Sequence, residues 1–84
     1  MNIVYPVHIR ERMEQRGITK QQIVDAICHP HITCPTESKR RKRAMRSFGT
    51  KTLDVIYEPR GNKQILLVTA AWLKKEDRKV GEVT

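Results

Sequence analysis

The chain has 84 residues, of which 38% are hydrophobic and 31% are charged, a composition typical of one small globular domain with room for a single core. No unbroken apolar stretch exceeds four residues, whereas a membrane-spanning helix needs roughly 20. The N-terminus lacks the basic and apolar segments of a secretory signal. We therefore expect a soluble cytoplasmic protein.

Positive charge is the strongest compositional signal. There are 17 Lys and Arg residues against nine Asp and Glu, giving a net charge of +8. Residues 37–46 contain six bases and one acid, and so supply +5 of that charge. Such a segment favours polyanions, and we expect it to bind nucleic-acid phosphates without sequence preference. Its bases are Lys39, Arg40, Arg41, Lys42, Arg43 and Arg46.

Two other interpretations of this basic segment stay open. A run of Lys and Arg is commonly a solvated face with no ligand, and the charge also suits an acidic protein partner. The chain has only four aromatic residues, too few for a platform that stacks several bases. Any nucleic acid is therefore expected to be held through its backbone rather than read through its bases.

The N-terminal third predicts two helices. The first covers residues 7–16, begins after Pro6 and ends at Gly17, which can adopt the left-handed conformation that terminates helices. The second opens with a capping box at Thr19 and ends before Pro30. The short connection predicts a helical hairpin.

Beyond Pro35 the pattern changes to alternating and β-branched residues, which favours strands. The predicted strands, an antiparallel meander, cover residues 42–48, 52–58 and 64–72. The last strand is apolar on both faces and is expected to be central. The expected fold class is α+β, with two N-terminal helices packed on a three- to four-stranded antiparallel sheet. We assign residues 1–73 to this domain and residues 74–84 to a charged tail.

Three residues of the first helix form a row that could carry chemistry. His8, Arg12 and Arg16 fall within about 80° of one another, beside the apolar stripe of Ile9 and Met13. Two guanidinium groups can neutralise and orient a phosphate, and an imidazole can transfer protons. A surface helix with ordinary charge pairs has the same pattern, so both interpretations stay open.

A cluster of Cys28, His29, His31 and Cys34 raises the question of a zinc site. Structural zinc sites usually draw ligand pairs from separated segments, and Cys28 is expected to lie on the apolar face of the second helix, where free cysteines are common. We expect no metal, no cofactor and reduced thiols. The chain has no GxxxxGK, GxGxxG, HExxH or GxSxG motif. Nothing in the sequence therefore supports a nucleotide hydrolase, a dinucleotide-dependent redox enzyme, a zinc protease of the HExxH type or a serine hydrolase.

The string H-I-R-E-R-M-E-Q-R-G-I-T from His8 to Thr19, with a final strand ending V-T-A-A-W at Trp72, resembles a known family. It is similar to the short uncharacterised domains grouped with RelE-like and BrnT-like toxins, over roughly residues 7–72. The resemblance implies two helices on an antiparallel sheet and metal-independent RNA cleavage, sometimes on translating ribosomes. It also implies an acidic antitoxin as a partner.

Under this resemblance, His8 and Arg12 match the family's helix pair, Arg16 matches the Arg before Gly, and Thr69 matches a strand hydroxyl. These four residues are the expected catalytic set. One departure is that Trp72 stands where the family has Tyr, so a phenol is missing there. A non-enzymatic module that binds nucleic acid or ribosomes on the same fold is the alternative.

Overall fold

The computed structural model describes residues 2–74, so the predicted tail lies outside the described residues after Lys74. The elements are β1 (Asn2–Val4), α1 (Val7–Arg16), α2 (Lys20–Cys28), β2 (Ile32–Pro35), β3 (Lys42–Phe48), β4 (Lys51–Arg60) and β5 (Gln64–Lys74). The two helices pack on one face of a five-stranded sheet with the order β1-β5-β4-β3-β2. Neither helix has the length or the apolar content needed to cross a bilayer, as far as residues 2–74 are concerned.

Both predicted helices are confirmed together with their local signals. Gly17 ends α1 with a φ of 66°, a left-handed conformation that glycine adopts without steric penalty. At the start of α2, the Thr19 hydroxyl accepts from the Gln22 backbone N–H at 3.1 Å, and the Gln22 side chain accepts from the Thr19 N–H at 2.9 Å. This capping box satisfies backbone donors that the helix itself leaves unpaired.

The sheet differs from the predicted one in strand number and direction. The meander of β3, β4 and β5 is confirmed, but β2 pairs antiparallel with β3, and β1 pairs parallel with β5. The sheet is therefore mixed and five-stranded, with β4 in the middle. As expected, β5 is an interior strand where it lies between β1 and β4. The two missed strands have only three and four residues, too few for a period of two to be recognised.

The buried core lies between the helices and the sheet. It contains Ile9, Met13, Ile18, Ile23, Ala26, Leu53, Val55, Leu67 and Ala70. Because the apolar stripe of α1 is anchored in this core, the side chains on either side of that stripe are held at fixed positions along the edge of the helix.

A β-bulge interrupts β5 beside α1. The register with β4 shifts so that Val68 is the extra residue of β5. As a result Leu67 and Ala70, three positions apart, are both buried against the helices, whereas Thr69 is exposed. The bulge thus places the Thr69 hydroxyl at a point where β5 is locally bent.

We expect Thr19→Ala to lower the free energy of unfolding by about 1 kcal/mol, because it removes the hydroxyl that caps α2. Denaturant unfolding followed by circular dichroism measures the change. Thr50→Ala, at an exposed turn position, is the matched control and should have a smaller effect. Equal losses in the two variants would contradict the capping role.

Candidate functional site

A groove between α1 and β5 brings together the four residues that the sequence analysis selected as a catalytic set. Its volume is about 210 Å³, and it is lined by His8, Arg12 and Arg16 from α1 and by Thr69 from β5, together with Ile9, Val68 and Ala70. All four predicted residues are exposed. The row on the first helix therefore faces one shared space and not separate parts of the surface.

The groove exists because β1 is short. It pairs with β5 only over residues 64–66, and the chain then turns at Pro6 into α1. Over the next part of β5, within the described residues, the edge is flanked by a helix instead of a strand. A strand edge of this kind leaves backbone acceptors unpaired, and the Ala70 carbonyl accepts a hydrogen bond from Nη1 of Arg16 at 2.8 Å.

Arg16 is fixed to β5 at two points. Its side chain donates to Ala70, and its backbone carbonyl accepts from Nε1 of Trp72 at 2.7 Å. The final carbonyls of a helix have no partner within the helix, and the indole provides a hydrogen-bond donor for one of them, the Arg16 carbonyl of α1. A guanidinium carries five N–H donors. The bond to Ala70 therefore leaves donors of Arg16 available to an anion in the groove.

The electrostatics of the groove favour an anion. Two guanidinium groups and an imidazole line it, and its lining contains no Asp or Glu. Among residues 2–74, no hydrogen bond or salt bridge to protein occupies the side chains of His8, Arg12 or Thr69. These groups can thus bind a phosphate through charge-assisted hydrogen bonds without first breaking an internal contact.

Trp72 occupies the position where the resemblance implies a tyrosine, and no other phenol replaces it in the groove. Tyr57 is half-buried, packs against the core and is absent from the groove lining. Burial raises the pKa of Tyr57, and the nearby Cys28 raises it further. The groove therefore offers an imidazole as its proton-transfer group, without a phenol beside it.

Two bases of the basic segment are engaged in the fold. Arg43 donates from Nε and Nη2 to both carboxylate oxygens of Asp54, at 2.8 and 2.7 Å, and the hydrogen bond to Asp54 raises the pKa of Arg43. Arg46 donates from Nη1 to the His29 carbonyl at 2.6 Å and lies over the ring of Phe48. These two residues connect β3 to β4 and to the end of α2.

The remaining bases of the segment lie on a different surface from the groove. Lys39, Arg40 and Lys42 line a cleft of about 640 Å³, which also includes Arg60. Arg41 lines an adjacent depression. Neither shares a lining residue with the groove. The basic segment and the row on the first helix thus lie on two different surfaces, and the segment begins in the loop before β3 and continues into β3.

The side chains of the Cys and His cluster are not grouped in the structure: among the described residues, no three or more His, Cys, Asp or Glu are placed to share a metal ion. Both cysteines are free thiols, and Cys28 is exposed. The expectation that Cys28 lies on the apolar face was wrong, because it falls about 140° from Ile23 on the helix. His31 instead has a structural contact, since its Nδ1 accepts from the Ser47 N–H at 3.1 Å.

Comparison with known proteins places the chain in one family. Residues 5–72 match the family described as a domain of unknown function, DUF4258. Because the match covers most of the chain, including the groove residues from His8 to Thr69, the protein belongs to that family. No curated protein and no solved structure matches the chain.

We expect Trp72→Phe to lower the free energy of unfolding by about 1 kcal/mol, because the Arg16 carbonyl loses its donor while most of the ring remains. Denaturant unfolding measures this change. Tyr57→Phe is the control, since the Tyr57 hydroxyl makes no hydrogen bond within residues 2–74. A loss in Tyr57→Phe as large as that in Trp72→Phe would show that the indole bond is not responsible.

Proposed function

We propose that this DUF4258 domain binds RNA through its phosphates and cleaves it in the groove between α1 and β5, as a RelE-like ribonuclease. The observation that carries the proposal is the convergence of His8, Arg12, Arg16 and Thr69 on one groove without a carboxylate. Three of these residues are cationic or can become so, and the fourth supplies a neutral donor. This combination suits a phosphodiester better than a cation or a neutral ligand.

The reaction that fits these groups is attack by the ribose 2′-hydroxyl on the adjacent phosphorus. His8 accepts the 2′-hydroxyl proton as the new P–O bond forms, and the bond from phosphorus to the 5′-oxygen breaks. The proton then passes from the imidazolium to the departing 5′-oxygen. The products are a 2′,3′-cyclic phosphate and a 5′-hydroxyl, so atoms and protons balance without another reactant.

The other three residues act on the phosphate. Arg12 and Arg16 offset the charge that grows on the non-bridging oxygens, which is the main electrostatic contribution expected in such a site. The Thr69 hydroxyl donates a hydrogen bond to one of the same oxygens. In this scheme the bond from Arg16 to Ala70 has a second effect, because it limits the rotamers of the guanidinium before substrate arrives.

A non-enzymatic RNA-binding or ribosome-binding module is the second candidate. The contacts of Arg16 with Ala70 and Trp72 favour it, because they give this residue a structural task that needs no substrate. The absence of a phenol at Trp72 points in the same direction.

On the RelE-like proposal, the partner is an acidic antitoxin and the location is cytoplasmic. Co-purification of a small acidic protein would support the presence of the antitoxin.

We expect His8→Ala to reduce RNA cleavage by at least about 100-fold, because the proton-transfer group is lost, while RNA affinity changes little. Cleavage is followed on a labelled RNA strand in the presence of a chelator, and affinity is measured by fluorescence anisotropy. His29→Ala removes an exposed imidazole outside the groove and should cleave at the parent rate.

Two outcomes would contradict the assignment of His8. One is cleavage that continues in His8→Ala, and the other is an equal loss in His29→Ala. If the parent protein binds RNA but leaves it intact between about pH 5 and pH 8, where imidazoles titrate, the non-enzymatic module is correct instead.

We expect replacement of the ribose at the cleavage position by deoxyribose to abolish cleavage and to leave affinity nearly unchanged. The deoxy strand lacks the attacking hydroxyl but keeps every phosphate. The comparison uses the same two assays on the parent protein. Cleavage of the deoxy strand at a similar rate would exclude attack by the 2′-hydroxyl and with it the proposed role of His8.

A further inference from the structure

We infer that the cleft at the end of the sheet is a second binding surface for the same RNA strand, and that Arg60 is its fixed anchor. Arg60 lies on β4, outside the basic segment that the sequence singles out. The inference rests on the proposed function because it takes RNA as the ligand of the groove. It adds a separate surface, a new residue and a dependence on RNA length.

The position of Arg60 is fixed by a carboxylate on its own strand. Nε and Nη2 of Arg60 both donate to Oε2 of Glu58, at 3.1 and 3.0 Å. The two residues are two positions apart and share one face of β4. The Glu58 side chain is 18% exposed and that of Arg60 is 56% exposed. The more buried carboxylate therefore bonds to an accessible guanidinium, whose remaining donors stay available.

The charge of the cleft matches a polyanion. Four bases line it, namely Lys39, Arg40, Lys42 and Arg60, and its single acid, Glu58, is already bonded to Arg60. Its volume is about 640 Å³, against about 210 Å³ for the groove. A wide basic cleft without an aromatic lining suits a sugar-phosphate backbone, since it offers phosphate contacts but no surface for base stacking.

The topology places the cleft within reach of a strand that occupies the groove. Arg60 pairs with Gln64 at the start of β5, and Thr69 lies five residues farther along the same strand. Because Val68 is the extra residue of the bulge, the separation corresponds to four regular residues, or about 13 Å along β5 at about 3.3 Å per residue. An RNA of several nucleotides can therefore contact both surfaces, whereas a dinucleotide in the groove cannot reach Arg60.

The test measures affinity as a function of RNA length in the His8→Ala background, which is expected to prevent cleavage. Fluorescence anisotropy compares a labelled dinucleotide with a single strand of about twelve nucleotides, within the usual range of single-strand binding sites. The variant Arg60→Gln is compared with Arg10→Gln. Both remove one Arg charge, but Arg10 is exposed on α1 and lines neither the groove nor the cleft.

For the longer strand, we expect Arg60→Gln to weaken binding by about fivefold and to reduce the slope of log affinity against log salt by about one, as for one lost phosphate contact. Dinucleotide affinity should stay within about twofold, and Arg10→Gln should change neither ligand by more than this. Unfolding curves that match the parent would show that both variants remain folded.

The inference is overturned if Arg60→Gln binds the longer strand like Arg10→Gln, or if it weakens both lengths equally. These results are separable from failure of the proposed reaction. If the parent cleaves RNA normally but Arg60→Gln has no effect, only the inference of a second binding surface is rejected. Conversely, if Arg60→Gln loses RNA affinity in a length-dependent way but the parent does not cleave RNA, the ribonuclease proposal is rejected and the cleft remains a binding surface.

Discussion

The attachment of α1 to the open edge of β5 is the constraint on which the candidate site depends. Arg16 makes this attachment twice, through its guanidinium to Ala70 and through its carbonyl to Trp72. The apolar stripe of the helix sets its distance from the sheet, and these polar contacts prevent rotation about the helix axis. Both walls of the groove are therefore held before any ligand arrives.

A second constraint on the fold is the repulsion among its positive charges. A chain with a net charge of +8 and a small core opposes its own compaction through repulsion. Arg43 and Arg46 reduce this cost because they bind Asp54 and a backbone carbonyl. Other bases have no such partner within the described residues, among them Arg12 in the groove and Lys39, Arg40 and Lys42 around the cleft. Within one sequence segment, Arg43 and Arg46 thus make structural contacts, whereas the proposed RNA contacts fall to their neighbours.

The sequence was most informative where the determining contacts are local. Helix ends depend on residues within one turn, as at Gly17, and helical periodicity alone predicted that His8, Arg12 and Arg16 share a face. Tertiary pairing could not be predicted in the same way. Arg43 meets Asp54 only through the β3–β4 register, so nothing in the basic segment distinguishes it from its neighbours. The strands β1 and β2 were missed because they are too short for a period of two to be recognised. The exposure of Cys28 was missed although helix geometry alone places it about 140° from Ile23. Kinship with RelE-like toxins stays a prediction, whereas membership of DUF4258 is established by the family match.

The extra residue in β5 has a consequence for how this domain can diverge. Leu67 and Ala70 point toward the helices on either side of the bulge, and excision of Val68 would leave them in phase as alternate residues of a regular pleat. The hydrophobic interior would keep its composition after such a deletion. The Thr69 side chain, which pairs with Ile56 and already alternates with Ala70, would keep its face of the sheet, but the local bend of β5 beside α1 would be lost. A deletion of one residue would thus keep the scaffold and change the edge of the sheet that forms one wall of the groove.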